Sequence, residues 1–313
     1  MISRNDQNIF PKKYIIQGNW LKEYQDYSIY LEKIDISKDT IDWRLKHIRG
    51  FLYYLQSSNI AINCIKPNNV YSYIASLKNL SARTVEHRGI CIRFFLNWLF
   101  DTKKISINGN SILPNIKCNK NEKLITYYTV EELKKLLNAI NINKENGKRD
   151  LAIMLLFIRL GMRQRDVQTL KLDSIKWNEN KMIILQSKTN YSITYPLIVE
   201  IRYALIDYLK NERPISKSPY VFIDNNSQIY SDHFFYNLVN KYFTKAKINI
   251  KGKKHGAHSI RHSLAMSLLN HGNSLYEISS ILGHKNINDT ITYTKVDIKQ
   301  LKIISLEVPT WKN

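Results

Sequence analysis

The string His258-Ser259-Ile260-Arg261-His262 is the most specific feature of this chain of 313 residues. Residues three apart lie on one face of a helix, so His258 and Arg261 are predicted to share a face. His258 and His262 stand at the i, i+4 spacing of metal ligands, which raises a zinc site as an alternative. Position 259 is Ser and not the Glu of a metalloprotease helix, and the sequence nearby offers no Cys or further ligand cluster. We therefore predict that no metal binds here.

Three further motifs accompany this string in a fixed order. Gly161-Met162-Arg163 lies upstream, Leu282-Gly283-His284 lies downstream, and Ile291-Thr292-Tyr293-Thr294 follows. Breaking a phosphodiester without metal or nucleotide requires a nucleophile, groups that hold the extra negative charge, and groups that move protons. A guanidinium stays charged and its planar fork can bind two phosphoryl oxygens. We therefore predict that Arg163 and Arg261 hold a phosphate.

The predicted nucleophile is Tyr293, one of twenty tyrosines, because of its position after the other motifs. A phenol has a pKa of about 10, so attack at neutral pH requires neighbouring cationic groups that favour the phenolate. Asp166 lies one helical turn after Arg163 and is predicted to orient that side chain. Gly283 is predicted to end a helix and to fix the direction of His284.

Together these motifs resemble the active site of the tyrosine recombinase, or phage integrase, family, which cuts and rejoins DNA through a tyrosine ester. The likeness is firm over residues 129–294 and looser over the first half of the chain. Gln186-Ser187-Lys188-Thr189, followed by Tyr195-Pro196-Leu197, is similar to the strand-turn-strand segment in which the family carries a lysine that protonates the leaving 5′ oxygen. The resemblance implies no cofactor. It implies six catalytic residues: Arg163, Lys188, His258, Arg261, His284 and Tyr293.

The resemblance also implies a reaction and its partners. It implies a 3′-phosphotyrosyl intermediate and strand exchange through a Holliday junction by a homotetramer on specific double-stranded DNA sites. An accessory protein or a second recombinase is a further expected partner. The compact plan resembles the chromosome-dimer-resolving and mobile-element recombinases, so dimer resolution and integration or excision of an element are the expected roles. Two alternatives are DNA relaxation of the type IB topoisomerase kind and DNA binding by a regulator without catalysis.

We predict a mainly α fold with a small antiparallel β-sheet in two domains. Residues 1–104 are predicted to form a helical, DNA-clamping core-binding domain, residues 105–127 an interdomain linker, and residues 128–313 a catalytic α+β domain. The apolar tail after Tyr293 is expected to dock onto a neighbouring protomer or to pack on its own domain. Helices are predicted at residues 20–31, from 37, at 69–77, from 81, from 129, and at 150–160, 200–210, 231–245, 258–270 and 275–282. Short strands are predicted at residues 182–185 and 192–197.

The chain is strongly basic, with 47 Lys and Arg against 26 Asp and Glu and a formal net charge of +21. This imbalance opposes compact folding by self-repulsion, so a polyanionic partner such as DNA is expected. The three cysteines form no CxxC pair, and no stretch is long and apolar enough to span a membrane. A bacterial cytoplasmic protein that associates with the nucleoid when acting is therefore expected. Candidate DNA contacts of the first domain are Arg44, Lys46, Arg49, Arg83, His87 and Arg88.

Overall fold

The structure, a computed structural model, describes residues 14–113, 126–185, 192–283 and Thr290. The chain divides into two units, Met1–Lys123 and Leu124–Asn313. Each unit has its own hydrophobic core, as the predicted two-domain plan requires. No helix within the described residues is long and apolar enough to cross a membrane.

The described part of the N-terminal unit is helical throughout. Its helices are α1 (Gly18–Lys33), α2 (Lys38–Ser57), α3 (Pro67–Ser76), α4 (Ala82–Asp101) and α5 (Gly109–Ile112). The side chains of Ser37 and Ser81 accept hydrogen bonds from backbone N–H groups in the first turns of α2 and α4, which explains where these helices begin. Their apolar faces meet in a core that includes Tyr27 and Phe95, whose rings meet edge to face with centroids 5.0 Å apart.

The N-terminal unit extends past the predicted boundary at residue 104. Ile105, Ile112 and Leu113 are buried in its core, and Asn108 caps α5 through a hydrogen bond from the backbone N–H of Asn110. The predicted start of the linker at residue 105 is therefore wrong. A helix of four residues is too short to display a hydrophobic period, so only its turn-forming residues were visible in the sequence. Residues 114–125 lie outside the described residues.

The C-terminal unit combines seven helices with a three-stranded sheet among its described residues. The elements are α6 (Val130–Asn138), α7 (Gly147–Leu160), α8 (Gln164–Gln168), β1 (Ile175–Lys176), β2 (Lys181–Leu185), β3 (Ser192–Pro196), α9 (Val199–Asn211), α10 (Asp232–Lys245), α11 (Ala257–Asn270) and α12 (Leu275–Leu282). The strands are antiparallel in the order β1-β2-β3, with Met182 of β2 opposite Tyr195 of β3. The predicted fold class and both predicted strands are confirmed. The two-residue strand β1 was not predicted, because so short a strand shows no alternation.

Helix α7 lies at the centre of the C-terminal unit and packs against α6, α9 and α11. Most of its side chains are buried, which accounts for the unbroken apolar run in its sequence. Near its N-terminus, the buried carboxylate of Asp150 accepts hydrogen bonds from Arg149, Lys241 and Tyr242 and so joins α7 to α10. The opposite end of α7 leads to the predicted phosphate-binding residues.

Candidate active site

Helix α7 ends at Gly161, which has a φ of 59°, in the left-handed region that favours glycine. A Cβ atom on Gly161 would lie 2.8 Å from Cδ2 of Leu264 and 3.0 Å from Cδ2 of Leu282. Helices α11 and α12 therefore pack directly against this turn. The turn redirects the chain so that Arg163 becomes the N-cap residue of α8.

The side chain of Arg163 is held between α12 and α8. Its Nη2 donates a hydrogen bond of 2.8 Å to the carbonyl oxygen of Gly283, the C-cap residue of α12. Its Nη1 lies 4.0 Å from Oδ2 of Asp166, whose side chain is 1% exposed. The structure thus places Asp166 beside Arg163, one turn along α8. Nη1 of Arg163 is itself buried and has no hydrogen-bond acceptor within the described ranges.

Arg261 is 1% exposed and is fixed by two carbonyl oxygens. Its Nη1 donates to Gly161 O at 2.6 Å and its Nη2 donates to Leu282 O at 2.5 Å. Carbonyls at the C-terminus of a helix lack donors within the helix and carry the negative end of the helix dipole. Such carbonyls at the ends of α7 and α12 therefore hold the guanidinium of Arg261 in the turn between three packed helices.

The two arginines bind neighbouring carbonyls, since Leu282 O accepts from Arg261 and Gly283 O accepts from Arg163. Two guanidiniums and the single carboxylate of Asp166 carry an excess of positive charge. Fixed guanidinium groups in a largely water-excluded site stabilise an anion more strongly than the same groups in water. The arrangement therefore suits a phosphate whose charge increases during a reaction.

His258 lies in the first turn of α11, one turn before Arg261, and is exposed. Its ring meets the ring of His262 edge to face, with centroids 4.6 Å apart. Within the described parts of the chain, no group of three or more His, Cys, Asp or Glu side chains could hold a metal ion. The exposure of His258 leaves its ring accessible to a bound strand.

The remaining predicted catalytic residues, Lys188, His284 and Tyr293, lie outside the described residues. The structure does describe residues that flank Lys188 and His284 in the sequence. Strand β2 ends at Leu185 and β3 begins at Ser192. Gly283 ends α12, as predicted, and does so in the left-handed conformation.

Tyr195 belongs to the same site, although no role of its own is predicted for it from the sequence. Its side chain is 2% exposed, and its hydroxyl is buried. Burial raises the pKa of Tyr195, whereas the charges of Arg261 and Arg163 lower it and the charge of Asp166 raises it further. The alternation of side chains along β3 indicates that Tyr195 faces inward. The charged groups that act on its hydroxyl come from α8, its N-cap residue and α11, so only the tertiary packing brings them to Tyr195.

The candidate DNA contacts of the N-terminal unit fall into two kinds. Lys46, Arg49 and Arg83 are exposed, and Arg44 and His87 are partly buried. The guanidinium of Arg44 lies 4.4 Å from the centroid of the exposed Phe94 ring, and that of Arg49 lies 4.8 Å from the Tyr24 ring. The His87 ring meets the edge of Trp43 with centroids 5.5 Å apart.

Arg88 differs from these residues because it is only 4% exposed. Its Nη1 lies 3.5 Å from the hydroxyl of Tyr73, inside the N-terminal unit. Position 88 lies on the same face of α4 as the buried Cys91, Ile92 and Phe95, at helical spacing. The prediction of Arg88 as a surface contact to DNA is therefore corrected: its side chain packs within the helical core.

The helical unit, the small sheet and the arginine pair at two helix ends define the class of the protein. The phage integrase family matches residues 126–300, more than half of the chain, and the protein belongs to this family. The resemblance drawn from the motifs is thereby confirmed, and the protein is a tyrosine recombinase by class.

Relatives with assigned names support the same class. The chain is 32% identical over 249 residues to tyrosine recombinase XerC of Caldanaerobacter subterraneus subsp. tengcongensis, which covers 77% of this chain and 68% of that protein. It is 30% identical to tyrosine recombinase XerC of Thermodesulfovibrio yellowstonii over 76% of this chain and 80% of that protein.

Solved structures share the fold. The site-specific recombinase XerH, bound to a palindromic difH substrate in a post-cleavage complex, superimposes with a TM-score of 0.73 at 20% identity, covering 95% of this chain and 90% of that one. A lambda integrase fragment, a dimer bound to a COC′ core site, gives a TM-score of 0.68 at 16% identity, covering 94% of this chain and 97% of that one. At these identities the likeness concerns the fold.

Proposed function

We propose that this protein catalyses site-specific recombination of double-stranded DNA with Tyr293 as the nucleophile. The observation that carries the proposal is the pair of guanidiniums, of Arg163 and Arg261, held by carbonyl oxygens at the ends of α7 and α12. The named relatives are recombinases, which supports the same reaction class. The basic composition supports DNA as the substrate.

In the proposed reaction, the Tyr293 oxygen attacks the scissile phosphorus and forms a 3′-phosphotyrosyl bond while the bond to the 5′ oxygen breaks. The phenol proton passes to a neighbouring histidine, His258 or His284, and Lys188 donates a proton to the departing 5′ oxygen. Arg163 and Arg261 hold the nonbridging oxygens as their charge increases. A 5′-hydroxyl then attacks the phosphotyrosine and releases Tyr293, so the phosphoester is conserved and no cofactor is consumed.

The arginine pair is suited to this task because it is already in place before DNA binds. Helix-end carbonyls fix Arg261, while Gly283 O and the carboxylate of Asp166 flank Arg163. Because both side chains are already ordered, little side-chain entropy is lost when a phosphate binds. This lowers the barrier of the chemical step. Asp166 is proposed to orient Arg163 without touching the phosphate.

We further propose that the protein acts as a homotetramer on two DNA sites, with an accessory protein or a second recombinase as a further partner. The biological role is integration or excision of a mobile element, or resolution of chromosome dimers. Sequencing the DNA that flanks the gene separates these roles, because the ends of a mobile element would be visible there. The apolar tail after Tyr293, which lies outside the described residues, is proposed to dock onto a neighbouring protomer.

The test of the reaction uses a recombination-site duplex, selected from random double-stranded DNA by binding to the Tyr293→Phe protein and given a nick near the scissile phosphate. The wild-type protein is expected to form a covalent adduct with this duplex that survives denaturation. Tyr293→Phe is expected to form none. Tyr276→Phe is the matched control, because Tyr276 on α12 is an exposed tyrosine, and it should form the adduct at the wild-type rate.

Each alternative function predicts a different result in this assay. A regulator without catalysis would bind the duplex and give no adduct with the wild-type chain. A protein of the type IB topoisomerase kind would form the adduct on arbitrary duplex as readily as on the selected site. An adduct that persists in Tyr293→Phe would disprove the assignment of the nucleophile.

A further inference from the structure

Tyr195 brings a buried hydroxyl to the arginine pair. It lies on β3 opposite Met182 of β2, with its ring in the core of the C-terminal unit. Its hydroxyl is buried and has no hydrogen bond of normal geometry within the described ranges. The groups whose charges act on the hydroxyl are Arg261, Asp166 and Arg163, with Arg261 the strongest of the three, and the guanidinium of Arg261 also acts on it as a hydrogen-bonding neighbour, although the geometry falls short of a regular hydrogen bond.

A buried hydroxyl without a hydrogen-bond partner opposes folding, because the group has lost its water and gained nothing in return. Phenylalanine at position 195 would bury the same ring without that cost. The stability of the fold therefore does not explain the hydroxyl, and what sets it apart from other buried tyrosine hydroxyls is that Arg261, Asp166 and Arg163 act on it. Arg163, whose charge acts on this hydroxyl, carries a second buried polar atom without a hydrogen bond among the described residues, Nη1.

We propose that Tyr195 is a positioning residue of the active site, whose hydroxyl oxygen accepts an N–H from the guanidinium of Arg261 when the scissile phosphate is bound. Two carbonyls, of Gly161 and Leu282, hold Arg261 from the helix ends. The hydroxyl adds a contact from the sheet to those from the helix ends, and contacts from different directions restrict the tilt of the guanidinium plane. This proposal rests on the proposed function, since it assigns to Arg261 the task of binding the scissile phosphate.

The chain offers a matched control for the loss of a buried phenol hydroxyl. Tyr208 on α9 is also buried in the C-terminal unit, and its hydroxyl likewise lacks a hydrogen bond of regular geometry within the described ranges, its hydrogen-bonding neighbour being the backbone of Ile223. Its ring stacks on Phe222, and the charges near its hydroxyl are those of Tyr230, Arg149 and Arg213 rather than those of the arginine pair. Tyr195→Phe and Tyr208→Phe remove the same atom from two comparable environments.

The experiment measures single-turnover formation of the covalent adduct by the full chain on the nicked recombination-site duplex, at saturating protein. Each variant is assayed on two duplexes, one with the normal scissile phosphate and one with a methylphosphonate, which has lost the negative charge that the arginines neutralise. Tyr195→Phe is expected to slow adduct formation about tenfold on the phosphate, less than the ~100-fold loss typical of removing a direct donor. On the methylphosphonate it is expected to stay within about twofold of wild type, because the orientation of Arg261 matters less there. Tyr208→Phe is expected to match wild type on both duplexes.

Three outcomes would overturn the assignment while leaving the proposed function intact. The first is a wild-type rate for Tyr195→Phe on the phosphate. The second is an equal loss on both duplexes, which would indicate a structural effect that does not act through the arginines. The third is the same loss in Tyr208→Phe. Failure of the wild-type chain to form any adduct would instead reject the proposed function itself. The melting temperature of each variant serves as the folding control, and Tyr195→Phe is expected to melt at or above the wild-type temperature.

Discussion

Arg261 is the largest fully buried side chain among the described residues, and its charge is held by carbonyl oxygens. Carbonyl partners fix a guanidinium without neutralising it, so the positive charge stays available to a phosphate. A carboxylate at the same place would have cancelled it. Arg163 combines both kinds of partner, with Gly283 O at 2.8 Å and the Asp166 carboxylate at 4.0 Å.

The planar fork of Arg261 should matter beyond its charge. Lysine at position 261 would keep one positive charge but could not reach Gly161 O and Leu282 O while also binding a phosphate. We expect Arg261→Lys to slow covalent adduct formation about 100-fold or more, the scale seen when one transition-state donor is lost. The measurement is single-turnover cleavage of the nicked recombination-site duplex.

Arg159→Lys is the control for this substitution. Arg159 lies in the last turn of α7, close in sequence to the site, but its partner is Glu200 in an exposed ion pair. Exposed pairs contribute little to stability, so adduct formation by this variant should be unchanged. A wild-type rate for Arg261→Lys would show that charge alone suffices at position 261.

At the scale of elements, the turn after α7 joins three helices and carries the arginine pair. Gly161 has a left-handed φ of 59°, and a side chain there would collide with Leu264 and Leu282. We expect Gly161→Ala to lower the free energy of unfolding by more than the ~1 kcal/mol that alanine costs in this backbone region. Urea denaturation of the full chain, followed through the C-terminal unit, measures the loss.

Gly272→Ala separates the conformational cost of alanine at a positive φ from the cost of the collision with neighbouring side chains. Gly272 has a φ of 82°, and nothing lies within 4 Å of the place where its Cβ would be. That variant should show only the conformational cost, so the difference between the two variants reports the collision at Gly161. Equal destabilisation by both would contradict the close packing of α11 and α12 around the turn.

The length of an element decides whether the sequence reveals it. Helices with a serine or threonine cap and three or more turns of apolar period were predicted to within a few residues, as were β2 and β3. The short elements α5 and β1 were missed because two to four residues display no period. The prediction for Arg88 was wrong because it rested on the charge of the side chain and not on its position on the apolar face of α4.

The sequence shows which residue types form the candidate site, but it does not show how the two arginine side chains are held in place. Spacing predicted that Asp166 would lie beside Arg163. It could not predict that carbonyls of residues 161, 282 and 283 would hold both guanidiniums, because backbone oxygens carry no residue-specific signal. Tyr195 was missed for a related reason, since its neighbours come from distant parts of the chain.

At the scale of the whole molecule, the net charge of +21 should make DNA binding strongly dependent on salt. Each phosphate contact contributes about 0.9 to the slope of log K against log salt concentration. We expect Arg83→Ala, which removes an exposed charge, to weaken binding to all duplexes and to lower this slope by about one contact. Fluorescence anisotropy on the selected duplex between low and moderate salt measures both quantities.

Arg88→Ala provides the contrast. Its buried guanidinium lies beside the Tyr73 hydroxyl, so its removal should destabilise the N-terminal unit and leave the salt slope of the folded protein unchanged. A reduced slope in Arg88→Ala together with an unchanged one in Arg83→Ala would reverse the assignment of the two residues.

The proposed bond between Tyr293 and DNA can be examined by identifying the atoms that it joins. The covalent adduct formed on the nicked recombination-site duplex is digested with nuclease and protease, and the modified peptide is sequenced by mass spectrometry. We expect a peptide that contains Tyr293 and carries a nucleotide through its 3′ phosphate. Attachment at any other residue, or through a 5′ phosphate, would contradict it.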